Sequence, residues 1–110
     1  MILSASPGGG ADVTTRLIAP RVSELLQGQT IIIEGRPGGG GLIAGSAVAR
    51  DTPVGLTFLV DITSHAVNPA IRLQMPYKVL EDLVPVTQVV RGANVLVVTP
   101  SLVWPRCPSS

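Results

Sequence analysis

Residues 30–50 read Thr-Ile-Ile-Ile-Glu-Gly-Arg-Pro-Gly-Gly-Gly-Gly-Leu-Ile-Ala-Gly-Ser-Ala-Val-Ala-Arg, and this stretch decides the fold. Ile31, Ile32 and Ile33 are β-branched, which restricts χ1 and disfavours helix; together they suit a strand buried on both faces. Gly35 to Gly41 then form a loop that no regular element survives. Leu42 to Arg50 is rich in Ala and stopped by Asp51-Thr52-Pro53, so it reads as a short helix. Strand, glycine turn and helix in direct succession is the repeating unit of an α/β sheet.

The same unit occurs upstream. Met1 to Ala5 is a short apolar stretch that feeds the loop Ser6-Pro7-Gly8-Gly9-Gly10. Val13, Leu17, Ile18, Val22, Leu25 and Leu26 then recur at close to helical spacing, which predicts a helix with one apolar face. Asp12 stands where its N-cap is wanted, Pro20 predicts a kink near Ile18 and Ala19, and Gly28 supplies a stop. Downstream, Thr57 to Val60 is a third strand ending at Asp61, and Thr63 to Pro69 reads as a polar loop or one helical turn. Val86 to Val90 and Val95 to Thr99 are β-branched runs separated by Arg91-Gly92-Ala93-Asn94, which predicts two more strands.

Composition excludes several functions. Eight Lys and Arg against seven Asp and Glu give a net charge of +1, too weak a field to collect nucleic acid or an anionic membrane. Phe58, Tyr77 and Trp104 are too few and too scattered to build a stacking platform. One Cys and one His leave no set of soft metal ligands, and the lone Cys107 makes no internal disulfide. Apolar runs stop well short of the ~18 residues that a membrane-spanning helix needs. No Ser-His-acid or metal grouping is arguable from spacing, so neither an enzyme nor a cofactor is expected.

The chemistry falls in three loops, Ser6 to Asp12, Gly35 to Gly41 and Ile62 to Asn68. Each follows a predicted strand, so a parallel sheet gathers them at one edge, where open α/β sheets bind ligands. Glycines let backbone approach a guest, and helix openings expose unpaired N–H groups, so the natural guest is an anion. A phosphate loop fails because Gly8-Gly9-Gly10 runs into Ala11-Asp12 rather than Lys-Ser or Lys-Thr. Gly39-Gly40-Gly41-Leu42-Ile43-Ala44 matches the dinucleotide pattern G-x-G-x-x-A, with Asp61 about 20 residues on, although Gly35 to Gly38 lengthen the turn. The plainer alternative is that the glycines only allow tight turns, that Asp12 caps a helix, and that neighbouring backbone satisfies His65.

At these loops the sequence resembles the Bug family, the receptors of tripartite tricarboxylate transporters. The resemblance rests on Pro7-Gly8-Gly9-Gly10-Ala11-Asp12, Arg16-Leu17, Ile31 to Ile33, Gly35-Arg36-Pro37-Gly38-Gly39-Gly40-Gly41 and Pro53-Val54-Gly55-Leu56-Thr57. It continues in His65-Ala66-Val67-Asn68-Pro69, Pro76-Tyr77, Pro85-Val86-Thr87 and Asn94 to Val98, in the family's order. Gly35 replaces the family's usual Asn, and Ser4-Ala5-Ser6 replaces a more aromatic, proline-rich lead.

The resemblance implies the first lobe of a two-lobed periplasmic-binding-protein-like α/β fold, incomplete in this chain, over residues 1–102. Residues 103–110 form an irregular tail unlike the family. It implies a periplasmic receptor that closes on a small carboxylate and delivers it to the transporter's membrane subunits. The first-lobe wall would comprise Ser6, Pro7, Gly8, Gly9, Gly10 and Asp12, then Pro37, Gly38 and Gly39, then Thr63, Ser64 and His65. Asp12 would choose between ligands with and without an amino group. The opening residues lack a secretory signal's charged start and apolar stretch, so either export is absent or the signal lies outside this reading. The change after Leu102 reads as a shifted frame or gene truncation. A lobe without its second half is expected to bind weakly or not at all, and to self-associate through open sheet edges.

Overall fold

A computed structural model describes residues 1–93, 95–97 and 99. The elements are β1 (Ile2–Leu3), α1 (Gly10–Leu25), β2 (Glu34–Gly35), a 3-10 turn (Gly39–Gly41), α2 (Leu42–Ala49), β3 (Leu59–Val60) and α3 (Ser64–Ile71). The three strands are parallel in the order β2-β1-β3, with Ile2 opposite Glu34 and Leu59, and Leu3 opposite Gly35 and Val60. The ladder is extended by Glu34 N–H to Met1 O and Arg36 N–H to Leu3 O, both 2.9 Å, and by Ile2 N–H to Phe58 O at 2.8 Å. The α/β class expected from the sequence is therefore the class observed.

The core is small and sits on β1. Leu3 and Ala44 are fully buried, and Ile2, Ala19 and Tyr77 are nearly so. Tyr77 closes over α2 where Gly45 has no side chain: a Cβ there would overlap the phenol ring and hydroxyl. The radius of gyration is 17.5 Å, against about 13 Å for a compact chain of this length. No helix among the described residues is long and apolar enough to cross a membrane.

Several expectations are corrected. Helix α1 starts at Gly10 with Gly9 as N-cap, so Asp12 lies inside the first turn, and the helix runs on through Pro20. Arg16 and Pro20 are both exposed, so the carbonyl that Pro20 leaves without a donor lies on the solvent side of the helix, where a proline is tolerated. The apolar face of α1 is uncovered: Leu17 is 75% and Leu25 71% exposed, whereas Asp12, Thr15 and Ala19 face inward. Thr15 manages this by donating its hydroxyl to Ala11 O at 2.7 Å.

Ile31 to Ile33 precede the paired residues instead of forming the strand, and Ile32 is 75% exposed because β2 is an edge strand with that face uncovered. Thr63 to Pro69 is more than a single turn, since α3 spans eight residues. No strand forms at 86–90 or among 95–97 and 99, and Val98 lies outside the described residues. A β-branched run becomes a strand only beside a partner, and two-residue ladders offer little edge on which to pair.

Candidate functional site

Strand β1 has β2 on one side and β3 on the other, so the chain leaves β1 and β3 towards opposite faces of the sheet. A crevice opens between such strands at their carboxyl ends, the switch point where open α/β sheets bind ligands. Ser4 follows β1 and Asp61 follows β3, and they meet there. Asp61 Oδ1 accepts hydrogen bonds from Ser4 Oγ, from Ser64 Oγ at 2.8 Å and from Ile62 N–H at 2.7 Å. Gly41 completes the floor: a Cβ on it would lie 3.2–3.3 Å from Ser64 Oγ, Asp61 Oδ1 and Ser4 Cβ.

The second loop has an unusual backbone. Gly38, Gly39, Gly40 and Gly41 have φ of +126°, +60°, +67° and +90°, a run of left-handed residues that L side chains resist. The carbonyls of this run are tied down. Gly38 O accepts Gly41 N–H at 3.0 Å, Gly39 O accepts Arg72 Nη2 at 3.2 Å, and Gly40 O accepts Asn68 Nδ2 at 2.7 Å. Arg72 Nε also donates to Asn68 Oδ1 at 3.3 Å, which fixes the amide orientation. The amides of Gly38, Gly39 and Gly40 find no acceptor among the described residues. A loop with its acceptors engaged and its donors free presents positive dipole ends to a guest.

The first loop repeats this logic at the N-terminus of α1, where Gly10, Ala11 and Asp12 N–H belong to the unpaired first turn. Asp12 turns back on the loop: Oδ2 accepts Gly8 N–H at 2.9 Å and Oδ1 accepts Arg16 Nε at 2.9 Å. The hydrogen bond from Arg16, with help from Gly8 N–H, holds this carboxyl below the usual carboxylate range. Gly9 N–H is closed onto Ser6 O at 3.1 Å. Asp12 is buried, and both of its carboxylate oxygens are engaged within the loop and helix.

The two glycine loops are neighbours, because a Cβ on Gly35 would meet Ala5 O at 3.6 Å and the Pro7 ring at 3.8 Å. Ser6, Pro7, Gly8, Gly10, Pro37, Gly38, Gly39 and Thr63 are exposed on this side, while Gly9, Ser64 and His65 are half-buried. His65 Nδ1 lies 3.5 Å from Asp61 Oδ2. At that separation the two atoms form no good hydrogen bond. His65 also borders a hollow of about 640 Å³ shared with Met75, Tyr77, Lys78 and Leu80, which includes none of the loop glycines.

Sequence reasoning missed Ser4 and Arg72, and named Asn68 only as the end of the third loop. The signal was present, since Ser64, Asn68 and Arg72 are four apart and so share one face of α3. Asp61, the acid expected to hold a ribose under the dinucleotide reading, has a side chain only 7% exposed, with Oδ1 taken up by two serines. Both serines donate to the acid and not to the imidazole, which is the reverse of a nucleophile-activating triad.

The architecture is a parallel α/β sheet with glycine loops at the carboxyl ends of its strands. Residues 14–105 match the family model described as tripartite tricarboxylate transporter family receptor. The chain belongs to that family. It is 40% identical over 104 residues to the protein BugT of Bordetella pertussis, covering 93% of this chain and 32% of the relative. A UPF0065 protein of Bordetella bronchiseptica is 41% identical over 91 residues, covering 82% of this chain and 27% of its own length. Another UPF0065 protein, from the tcbD-tcbE intergenic region of Pseudomonas sp. strain P51, is 35% identical over 92 residues, covering 84% and 27%. The chain thus spans about a third of the length of these curated relatives.

Proposed function

We propose that this chain builds one wall of a periplasmic receptor that takes up a small carboxylate and hands it to the membrane subunits of a tripartite tricarboxylate transporter. The observation that carries the reading is the second loop, whose carbonyls are bound by Gly41, Arg72 and Asn68 while three successive glycine amides find no acceptor among the described residues. A carboxylate oxygen satisfies such donors, and the adjoining first turn of α1 adds more. Capture and delivery break no covalent bond, and no catalytic role is assigned to any residue. The candidate contacts are the backbones of Ser6 to Gly10 and Pro37 to Gly39, with Thr63, Ser64 and His65 closing the third side.

Thermal melts of the chain with succinate, citrate, aspartate, benzoate and NAD test this, because a guest of the folded form alone raises the melting point. A rise with one carboxylate and none with NAD is expected; a rise with NAD alone would reverse the reading. One wall buries one side of a guest, so the affinity expected is about millimolar.

The uncovered face of α1 is the second element of the reading. Leu17 and Leu25 would associate between copies, and sedimentation should give a mass that grows with concentration and falls back in a Leu17→Lys, Leu25→Lys double variant. A monomer at every concentration would refute this element alone.

A further inference from the structure

Asp61 carries a buried charge that its neighbours only half satisfy. Oδ1 accepts three donors, whereas Oδ2 is shielded from solvent and has no hydrogen-bond partner; His65 Nδ1, 3.5 Å away, is shielded and unpartnered too. An acceptor facing Nδ1 favours the tautomer with hydrogen on Nδ1, which leaves Nε2 as the atom that gains or loses a proton. The same carboxylate is hydrogen-bonded to Ser4 and Ser64, and lies beside Gly41 at the end of the second loop, where an added Cβ would come within 3.3 Å of it. A guest carboxylate settling on the glycine amides thus adds a second negative charge to a cluster with one uncompensated anion.

We propose that His65, positioned by Asp61, takes up a proton when a carboxylate binds, and so selects for anionic guests and tightens their binding as pH falls. The inference rests on the carboxylate-receptor reading. The other titratable groups bordering the same hollow as His65 are Tyr77, Lys78 and Glu81. Burial, with the charge of Asp61, pushes the Tyr77 phenol up, so it stays neutral. Lys78 and Glu81 pair with each other at 2.7 Å on the surface and largely cancel.

His65 is the only histidine of the chain, so its imidazole signals are unambiguous in NMR spectra. The experiment is a pH titration of the isotope-labelled chain with succinate and with sodium chloride at equal ionic strength, following that ring and the amides of Gly38 to Gly40. Succinate should move the glycine amides and raise the midpoint of the imidazole titration. Binding should be about three- to tenfold tighter at pH 6 than at pH 8, within the tenfold per pH unit that one linked proton allows. His65→Gln should remove the pH dependence of the succinate response, whatever it does to the affinity itself.

Glycine amides that respond while the imidazole midpoint stays fixed would overturn the proton coupling and leave the receptor reading standing. Glycine amides that never respond to succinate or to the other carboxylates would overturn both. His65→Gln retaining the wild-type pH profile would assign the proton to another group and reject the proposed role of His65.

Discussion

The carboxylate of Asp12 holds Gly8 N–H and Arg16 Nε, each at 2.9 Å, and so joins the first glycine loop to the second turn of α1. A carboxyl held below its ordinary range stabilises the fold above about pH 4 and loses that contribution as pH falls through its lowered folded-state value. Melting temperatures from pH 7 down to pH 3 should drop at the acid end. Asp12→Asn should melt lower at pH 7 and show a shallower acid decline. An unchanged acid profile in the variant would remove Asp12 from the linkage.

Gly45 and Tyr77 fit only because one of them lacks a side chain. Gly45→Ala forces the buried phenol off α2 and should cost about 1–3 kcal/mol, the usual range for overpacking. Urea unfolding measures this. A second variant, Gly45→Ala with Tyr77→Leu, should recover part of the loss by making room.

Asn68 is buried and ties Gly40 O with its amide. Asn68→Ala leaves that carbonyl unpaired and should cost about 1–2 kcal/mol. Hydrogen exchange at Gly41, whose N–H is held by Gly38 O, should accelerate more than exchange in β1, since the clamp acts on the loop and not on the sheet.

Much of this arrangement was legible in the sequence, and the exceptions share a cause. Glycine and proline mark turns through backbone geometry alone, so the loops at 6–12 and 35–41 and the helix at 42–50 could be read locally. Strands at 86–90 and 95–99 could not, because whether a β-branched run pairs depends on what lies beside it. The same holds for α1: its periodicity identifies a helix, but the stripe of Leu17 and Leu25 was expected inside and lies outside. Within the site, backbone donors were anticipated from the glycines. The Asp61 hub was not, because its role comes from Ser4, 57 residues away in sequence.

Helix α1 ends with Gln27 at φ +59° followed by Gly28 at +80°, whose N–H reaches Ser23 O at 2.9 Å. Gly28 fulfils the expected stop, yet Gln27 also adopts the left-handed conformation, which costs a residue with a Cβ about 1 kcal/mol. Gln27→Gly should therefore raise stability by about 0.5–1 kcal/mol, and thermal melts would detect a gain of that size. A loss would mean that the Gln side chain repays its backbone strain.

The run from Gly38 to Gly41 has a stereochemical consequence. Gly40, at φ +67° and ψ +36°, occupies the basin that is the ordinary helical basin of a D-amino acid. In a chemically synthesised chain, D-alanine would be at ease at this position where L-alanine is strained. At Gly40 the backbone takes the mirror image of an ordinary helical residue, and an achiral residue is the least strained way for a ribosome to write that.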